Sequence, residues 1–555
     1  MSTALNELFT KHKATIDESV SAVHNRHFYA HWPEPPSGKI YGETAQADGE
    51  AAFKSFLNNK FEGLGEGDLW YGTEESPYGF ALNITYPSVQ PETLVQRASA
   101  AFKPWAKYTP AQRAGLLTEA LERSAQNFFA VAFATMHTTG QGFVMSFQAS
   151  GPHAYDRGLE AIGLGYFEQT RFPEHVEWEK PMGKFSVKLD KGYRAIGRGV
   201  SLVIGCSTFP VWNSLPSVMA SLVTGNPVIV KPHPKAILPM AILVRDIRAT
   251  FEEHGIDPNT IQLGVDGETL MTKELAEHPS VKLIDYTGST SFGNYLEKIE
   301  GKIVFTEKAG VNSIILDSVQ ELDPVLENLA FSLSLYSGQM CTTPQNIFIP
   351  KAGIKVGGET VGYEEVVEKL KEKITGLVNH PKMGAGTLGA IQNKATLERV
   401  ESVDTMGCDI KLVSESVAQP GFEQARSVSP TLVEIPSEKN DLLYKEMFGP
   451  IAFVVPTEST KQSIEMASDI TAQSGAITFA AYTTDESVAE QIEDALAFAG
   501  VPVSFNLTGP IWVNQSATFS DFHVTGGNPA GNASLVDPAF IVRRFFVVGT
   551  RKPAQ

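Results

Sequence analysis

Apolar positions in the first part of the chain recur at three- and four-residue spacing. The clearest stretch, 92–135 (ETLVQRASAAFKPWAKYTPAQRAGLLTEALERSAQNFFAVAFAT), is broken at Thr109–Pro110 and predicts two amphipathic helices. Residues 31–49, rich in Pro and Gly, predict irregular chain. From about Ser201 the pattern changes to short apolar, β-branched runs alternating with longer amphipathic ones. SLVIGC, NPVIVKP, TIQLGV and VKLIDYTGS predict strands; LPSVMASLVTG, KAILPMAILVRDIRATFEEHG and ETLMTKELAEHP predict helices. Such alternation marks a parallel sheet covered on both faces. A second α/β region follows, with strands at NSIILD, QNIFIP, IAFVVP and ITFAAY and helices at PVLENLAFSLSLYS and EEVVEKLKEKITGL. The apolar run FIVRRFFVVGT, after a Gly/Asn/Pro-rich loop, predicts a strand that packs on a neighbour.

At 555 residues the chain is too long for one core, so two or more domains are expected. The net charge of −18 argues against nucleic-acid binding, which needs clustered cations to neutralise phosphates. The three cysteines, Cys206, Cys341 and Cys408, form neither a disulfide framework nor a zinc spacing, so no metal is expected and a reducing cytoplasm fits best. The N-terminus lacks the pattern of a secretory signal, and VIVKPHPKAILPMAILV is too interrupted by Lys, His and Pro to span a bilayer; no membrane association is expected.

Four short segments can carry chemistry. LYSGQMCTTP places Cys341 on a glycine turn after a helix, where a thiol can become a nucleophile; the ordinary alternative is a small buried side chain. FTEKAGVNS puts Glu307 at a strand end, placed to activate water or simply to be solvated. FPVWNSLP puts Asn213 at a strand-to-helix junction, as an oxyanion donor or a helix cap. YTGSTSFG puts Gly288, Ser289 and Gly293 at a turn that can receive phosphate or serve packing alone; the GxGxxG of dinucleotide sites is absent.

Together these segments resemble the aldehyde dehydrogenase superfamily. The ordered motifs are Trp212–Asn213, Lys231–Pro232, Thr287–Gly288–Ser289, Glu307 to Gly310, Gly338 to Cys341, and Glu446 to Pro450, and the likeness runs from about residue 75 onward. The resemblance implies an aldehyde dehydrogenase-like α/β fold: two doubly wound α/β domains plus a bridging oligomerisation hairpin. It assigns 75–180 and 200–306 to an NAD(P)-binding domain and 307–525 to a catalytic domain. Residues 1–74 would be an N-terminal extension, and 181–197 and 538–550 oligomerisation strands, the last pairing with the hairpin of another subunit in a homodimer or homotetramer. Cys341 would attack the aldehyde, Asn213 and the Cys341 N–H would hold the oxyanion, and Glu307 would activate water against the thioester. Lys231, His233, Gly288, Ser289, Gly293, Glu446, Phe448 and Trp212 would serve the cofactor.

Two departures refine these expectations. Pro234 stands where NAD-preferring members usually carry a Glu, and Lys231, His233 and Lys235 lie close together, which favours NADP, with NAD as the alternative. The 70-residue extension and the loop SDFHVTGGNPAGNASL resemble the PaaN-type phenylacetic acid degradation proteins. That likeness implies a semialdehyde of aromatic catabolism, free or linked to coenzyme A, as substrate. A CoA-acylating dehydrogenase and a non-catalytic binding protein on the same fold are the competing readings; retention of Glu307 and Cys341 speaks against each.

Overall fold

In the computed structural model, which describes residues 2–437, 440–509 and 523–554, two open sheets carry most of the chain. The first has five parallel strands: Val200–Ile204, Val228–Lys231, Ile261–Leu263, Val281–Thr287 and Ile303–Glu307. Val200–Ile204 is central; the next two strands extend the sheet on one side and the last two on the other. Its residues are buried on both faces. Val200, Leu202 and Ile204 join Leu94, Val95 and Ala98, while Val203 joins Leu215, Val218 and Leu222. Because the strand order reverses at Val200–Ile204, the connections leaving its end and that of Val281–Thr287 diverge and open a crevice.

The second sheet has seven strands. Thr431–Glu434, Ile451–Thr457, Pro344–Pro350, Asn312–Leu316, Phe479–Tyr482 and Val503–Phe505 run parallel, and Asp409–Leu412 is antiparallel at one edge. Leu322–Ser334 and Tyr363–Val378 cover one face; Thr460–Ser474 and Glu486–Ala499 cover the other. The chain thus has the α/β architecture of two doubly wound sheets.

Several elements differ from the sequence reading. The stretch 92–135 folds as three helices, Pro91–Trp105, Pro110–Ser124 and Phe128–Thr139. Thr109 and Gln112 form a capping box at the first break, and a short 3-10 turn, Ala125–Asn127, makes the second. Residues 31–49 contain the helical turn Gly38–Tyr41 and the start of helix Ala45–Phe56. The N-terminal extension is no appendage: Leu5, Ile16, Trp32, Phe53 and Phe61 share one core with the helices flanking the first sheet, and His12 lies 2.7 Å from Glu119.

The hairpin comprises His175–Met182 and Phe185–Gly197, and the strand Phe545–Pro553 pairs antiparallel with Phe185–Gly197 of its own chain. The expected crossing to another subunit is therefore corrected. A buried pair fixes the strand's start beside Gly197: Arg544 donates to Asp285 at 2.5 and 2.8 Å, while its carbonyl accepts from Asn226 at 3.1 Å. The residues just before it, expected as strand, form the short helix Ala539–Val542, which turns Phe540 and Ile541 into the core. No helix among the described residues is long and apolar enough to cross a membrane.

Candidate active site

Cys341 follows a turn in which Tyr336 and Ser337 hold left-handed backbone angles (φ 53° and 46°), uncommon for residues with a Cβ. Side chains hold them there. The Tyr336 hydroxyl donates to Thr139 O at 2.5 Å, and Ser337 Oγ donates to Leu388 O at 3.1 Å. Gly338 is required by contact, since a Cβ on it would lie 2.3 Å from Gly449 O. Two of the sequence motifs thereby dock backbone to backbone. Asn312, which sequence reasoning missed, closes the turn: its Nδ2 donates to the carbonyls of Cys341 (2.7 Å) and Thr343 (3.1 Å), and its Oδ1 accepts from the backbone of Ile477 and Thr478.

Glu307, at the end of strand Ile303–Glu307, is buried and turned toward the thiol. Its Oε1 accepts from Asn213 Nδ2 at 3.0 Å, and its Oε2 lies 3.2 Å from His523 Nε2. The same imidazole nitrogen is 3.9 Å from Cys341 Sγ. Burial pushes the Glu307 carboxyl upward, but His523, Arg157 and the Cys341 thiol outweigh it and hold it below the usual carboxylate range. The Cys341 thiol moves the other way, raised well above its ordinary value by burial and by the Glu307 charge. Arg157 stacks 3.6 Å over the Trp212 ring and is the cation nearest in influence to both groups.

His523 was not singled out from the sequence, although the loop that carries it was. The loop is pinned beside Glu307: Lys308 N donates to Ala530 O at 2.6 Å, and Asn532 N and Ala533 N donate to Thr306 O. Asn528 ties the loop across to Ala476 and Gly500. A Cβ on Gly531 would fall 1.9 Å from Thr306 O, so this close approach explains the glycine.

Two cavities meet at Cys341. One, of about 580 Å³, occupies the crevice at the carboxyl ends of the first sheet and is lined by Lys231, His233, Asp266, Gly288, Ser289, Glu446 and Phe448 as well as Cys341. The other, of about 720 Å³, is mainly apolar; Phe143, Met145, Phe209, Trp212, Phe331 and Met340 line it together with Cys341. Glu446 reaches the polar crevice with its carboxyl pushed up to about 7 by burial, against the opposing pull of Arg399 and the Gly310 N–H.

The other expected site residues have distinct surroundings. Trp212, assigned to the cofactor, lines the apolar cavity and meets the His523 ring edge-on at 5.0 Å. Gly293 is closely packed, since a Cβ there would lie 2.6 Å from the Lys308 side chain. His233 adds no positive charge: burial, then Lys231 and Lys235, lower its pKa to about 4. Lys235 Nζ donates to Asn393 at 3.3 Å. Lys231 does have an acidic neighbour, supplied by another strand end: Asp266 Oδ2 lies 2.7 Å away, and both side chains are buried. Cys206 also belongs to the neighbourhood, with Sγ 3.4 Å from Asn213 Oδ1 and its thiol raised to about 11 by burial.

Residues 86–528 match the aldehyde dehydrogenase family. A crystal structure of an NAD-dependent aldehyde dehydrogenase from Burkholderia multivorans is 43% identical and superposes with a TM-score of 0.96, covering 99% of each chain. The NADP-dependent glyceraldehyde-3-phosphate dehydrogenase from Bacillus halodurans C-125, solved with NADP, shares the fold at a TM-score of 0.68 and 19% identity, over 88% of this chain and 96% of that one. Alpha-ketoglutaric semialdehyde dehydrogenase of Bacillus subtilis is 23% identical over 402 residues, 71% of this chain and 77% of the relative.

Proposed function

Since the chain belongs to the aldehyde dehydrogenase family, we propose that it oxidises an apolar aldehyde to the carboxylic acid through a thioester on Cys341, with NAD as hydride acceptor and water as acyl acceptor. The observation that carries this reading is the position of Cys341 at the meeting point of a polar crevice and an apolar cavity. A nucleophile that must face both a dinucleotide and an aldehyde needs that placement.

The crevice fits a dinucleotide. It opens at the switch point of a doubly wound sheet, and it combines an ion-paired lysine, a glycine turn and the Glu446 carboxyl along its length. Lys231 and Asp266 would hold the adenosine ribose, Gly288 and Ser289 the pyrophosphate, Glu446 the second ribose, and Phe448 would pack at the nicotinamide end. When bound, the nicotinamide supplies a hydride acceptor. Cys341 Sγ attacks the aldehyde carbon, and Asn213 Nδ2 with the Cys341 N–H stabilises the oxyanion. Glu307 then takes a proton from the water that attacks the thioester. Such a base favours hydrolysis over transfer to coenzyme A.

NAD is favoured over the NADP expected from the sequence. Asp266 would repel a 2′-phosphate and can accept from ribose hydroxyls, and burial leaves His233 without a positive charge at neutral pH. The Burkholderia protein, described as NAD-dependent, points the same way. The apolar lining suits an aromatic aldehyde of the kind that the resemblance to phenylacetic acid degradation proteins implies. Phe546, Val547 and Val548 are exposed on the edge strand of the three-stranded sheet, and this supports association of copies through that edge. The cytoplasm remains the compartment that suits three free thiols.

The test is reduced-nicotinamide absorbance with aromatic, straight-chain and CoA-linked semialdehydes, each with NAD or NADP and with or without free coenzyme A. NAD reduction by aromatic aldehydes, independent of coenzyme A, is expected. An absolute requirement for coenzyme A would replace the hydrolytic reading with an acyl-transferring one.

A further inference from the structure

We propose that His523 is the base that takes the proton from the Cys341 thiol, an assignment that rests on the thioester reading above. The geometry is specific. One imidazole nitrogen, Nε2, lies 3.9 Å from Cys341 Sγ and 3.2 Å from Glu307 Oε2, and all three groups converge within 4.8 Å. The ring is 2% exposed, set edge-on against Trp212, and carried on a loop tied to both sheets. A histidine placed only for packing has no need to aim a nitrogen at a thiol and a carboxylate at once.

The thiol needs a base. Burial and the neighbouring carboxylate keep it protonated at neutral pH. Glu307 is the weaker base toward the thiol: its carboxyl is held below the ordinary range, in part by the hydrogen bond that the thiol itself makes to it. Imidazole is intrinsically the stronger base of the two. Among the described residues, the charged or titratable groups around the ring are Glu307 from its strand end, Cys341 from its turn, Cys206 near Asn213, and Arg157, stacked on Trp212 with Glu160 close by.

The steps balance. The S–H bond breaks and its proton moves to Nε2, while the sulfur electron pair forms the C–S bond and the carbonyl π pair moves to oxygen. With a nicotinamide bound as acceptor, departure of the hydride would re-form the carbonyl and leave the thioester beside an imidazolium paired with Glu307. Water then attacks, and its proton goes to Glu307. When the C–S bond breaks, the sulfur recovers its proton from His523, and Glu307 releases one proton to solvent. Two bases thus divide the work: one serves the sulfur, the other the water.

The test uses the full-length enzyme without cofactor. Alkylation of Cys341 by iodoacetamide, which reports its thiolate and is read by mass spectrometry, is followed across pH in the parent, His523→Gln, His523→Ala and Glu307→Gln. His523→Gln should slow alkylation at neutral pH by roughly 100-fold and move its midpoint to higher pH. Exogenous imidazole should restore the rate in His523→Ala, which a ring needed only for packing would not allow. Glu307→Gln should keep a thiol that alkylates at neutral pH while losing turnover. Retained NAD binding, read by quenching of protein fluorescence, shows that each variant is folded. A parent-like profile in His523→Gln, or no imidazole rescue in a folded His523→Ala, overturns the assignment. If Cys341→Ala retained full dehydrogenase activity, the thioester reading would fall instead.

Discussion

Asp266 Oδ2 lies 2.7 Å from Lys231 Nζ, and each of these side chains is at least 95% buried. The carboxylate stands where sequence inspection finds none, because it leaves the end of Ile261–Leu263 rather than following Lys231 along the chain. Asp266→Ser should raise kcat/KM for NADP and lower it for NAD, shifting the ratio by at least about tenfold, or ~1.4 kcal/mol. Steady-state kinetics with both nucleotides check this. An unchanged ratio would separate Asp266 from cofactor choice.

Cys341→Ala should abolish aldehyde oxidation while NAD still binds. Glu307→Gln should release about one reduced nicotinamide per site in a burst and then stall, since only the second half of the reaction needs its proton-accepting oxygen. Rapid-mixing absorbance distinguishes the two variants; normal steady turnover in Glu307→Gln would remove the deacylation role.

Glu446 gives a pH signature. Its carboxyl titrates near about 7 in the folded protein, raised by burial, so the folded state holds this proton more tightly than the unfolded chain. Its contribution to the stability of the free enzyme is therefore greatest below the ordinary carboxylate pKa, declines as pH rises toward about 7, and is level above it. Dinucleotide affinity should do the reverse, strengthening as the ionised carboxylate becomes available to accept from a ribose hydroxyl. In Glu446→Gln both slopes should flatten, as read by thermal unfolding and by nucleotide titration across pH.

Asn312→Ala should destabilise the protein by about 2–3 kcal/mol, since a buried amide that joins the Cys341 turn to Ile477 and Thr478 is lost and backbone groups are left unpaired. Because the loss falls on the nucleophile's own carbonyl, kcat should drop more than KM rises. Chemical denaturation and steady-state kinetics measure the two effects. Unchanged kinetics would show that the turn is held adequately by Tyr336 and Ser337.

Val547→Asp should weaken association between copies without unfolding the chain, since Val547 is 56% exposed on an edge strand already paired within its own chain. Sedimentation should show a shift to smaller species with the strand content unchanged. A parent-like sedimentation profile would place the interface elsewhere.

Much of this was legible in the sequence because apolar period and chain order are local properties. The strands from Val200 to Glu307 follow their β-branched runs, and Cys341 and Glu307 stand at turns marked by glycines. What escaped depends on contacts between distant segments. His523 is 182 positions from Cys341, and no local pattern marks a lone histidine in a Gly/Asn-rich loop as facing a thiol. Asp266 escaped for the same reason. Trp212 and Asn213 are neighbours in one motif yet part ways, because adjacent residues on a helix point about 100° apart: Asn213 faces Glu307, whereas Trp212 turns to the apolar cavity. The last strand was placed in another subunit because its apolar outer row reads as an interface, while the pairing that holds it depends on Arg544 reaching Asp285.

That pairing bears on how the molecule is made. Asp285 lies buried within the strand beside the central one of the first sheet and meets its guanidinium partner 259 positions later. Until that partner arrives, the sheet carries an uncompensated buried charge, which costs several kcal/mol and favours a loose, water-penetrated state. Folding of the first sheet is therefore coupled to one of the longest loop closures in the chain, a topology associated with slow folding. A nascent chain halted before residue 523 would hold Cys341 and Glu307 without His523 and Asp285 without Arg544, so the reactive centre and the sheet behind it would mature together.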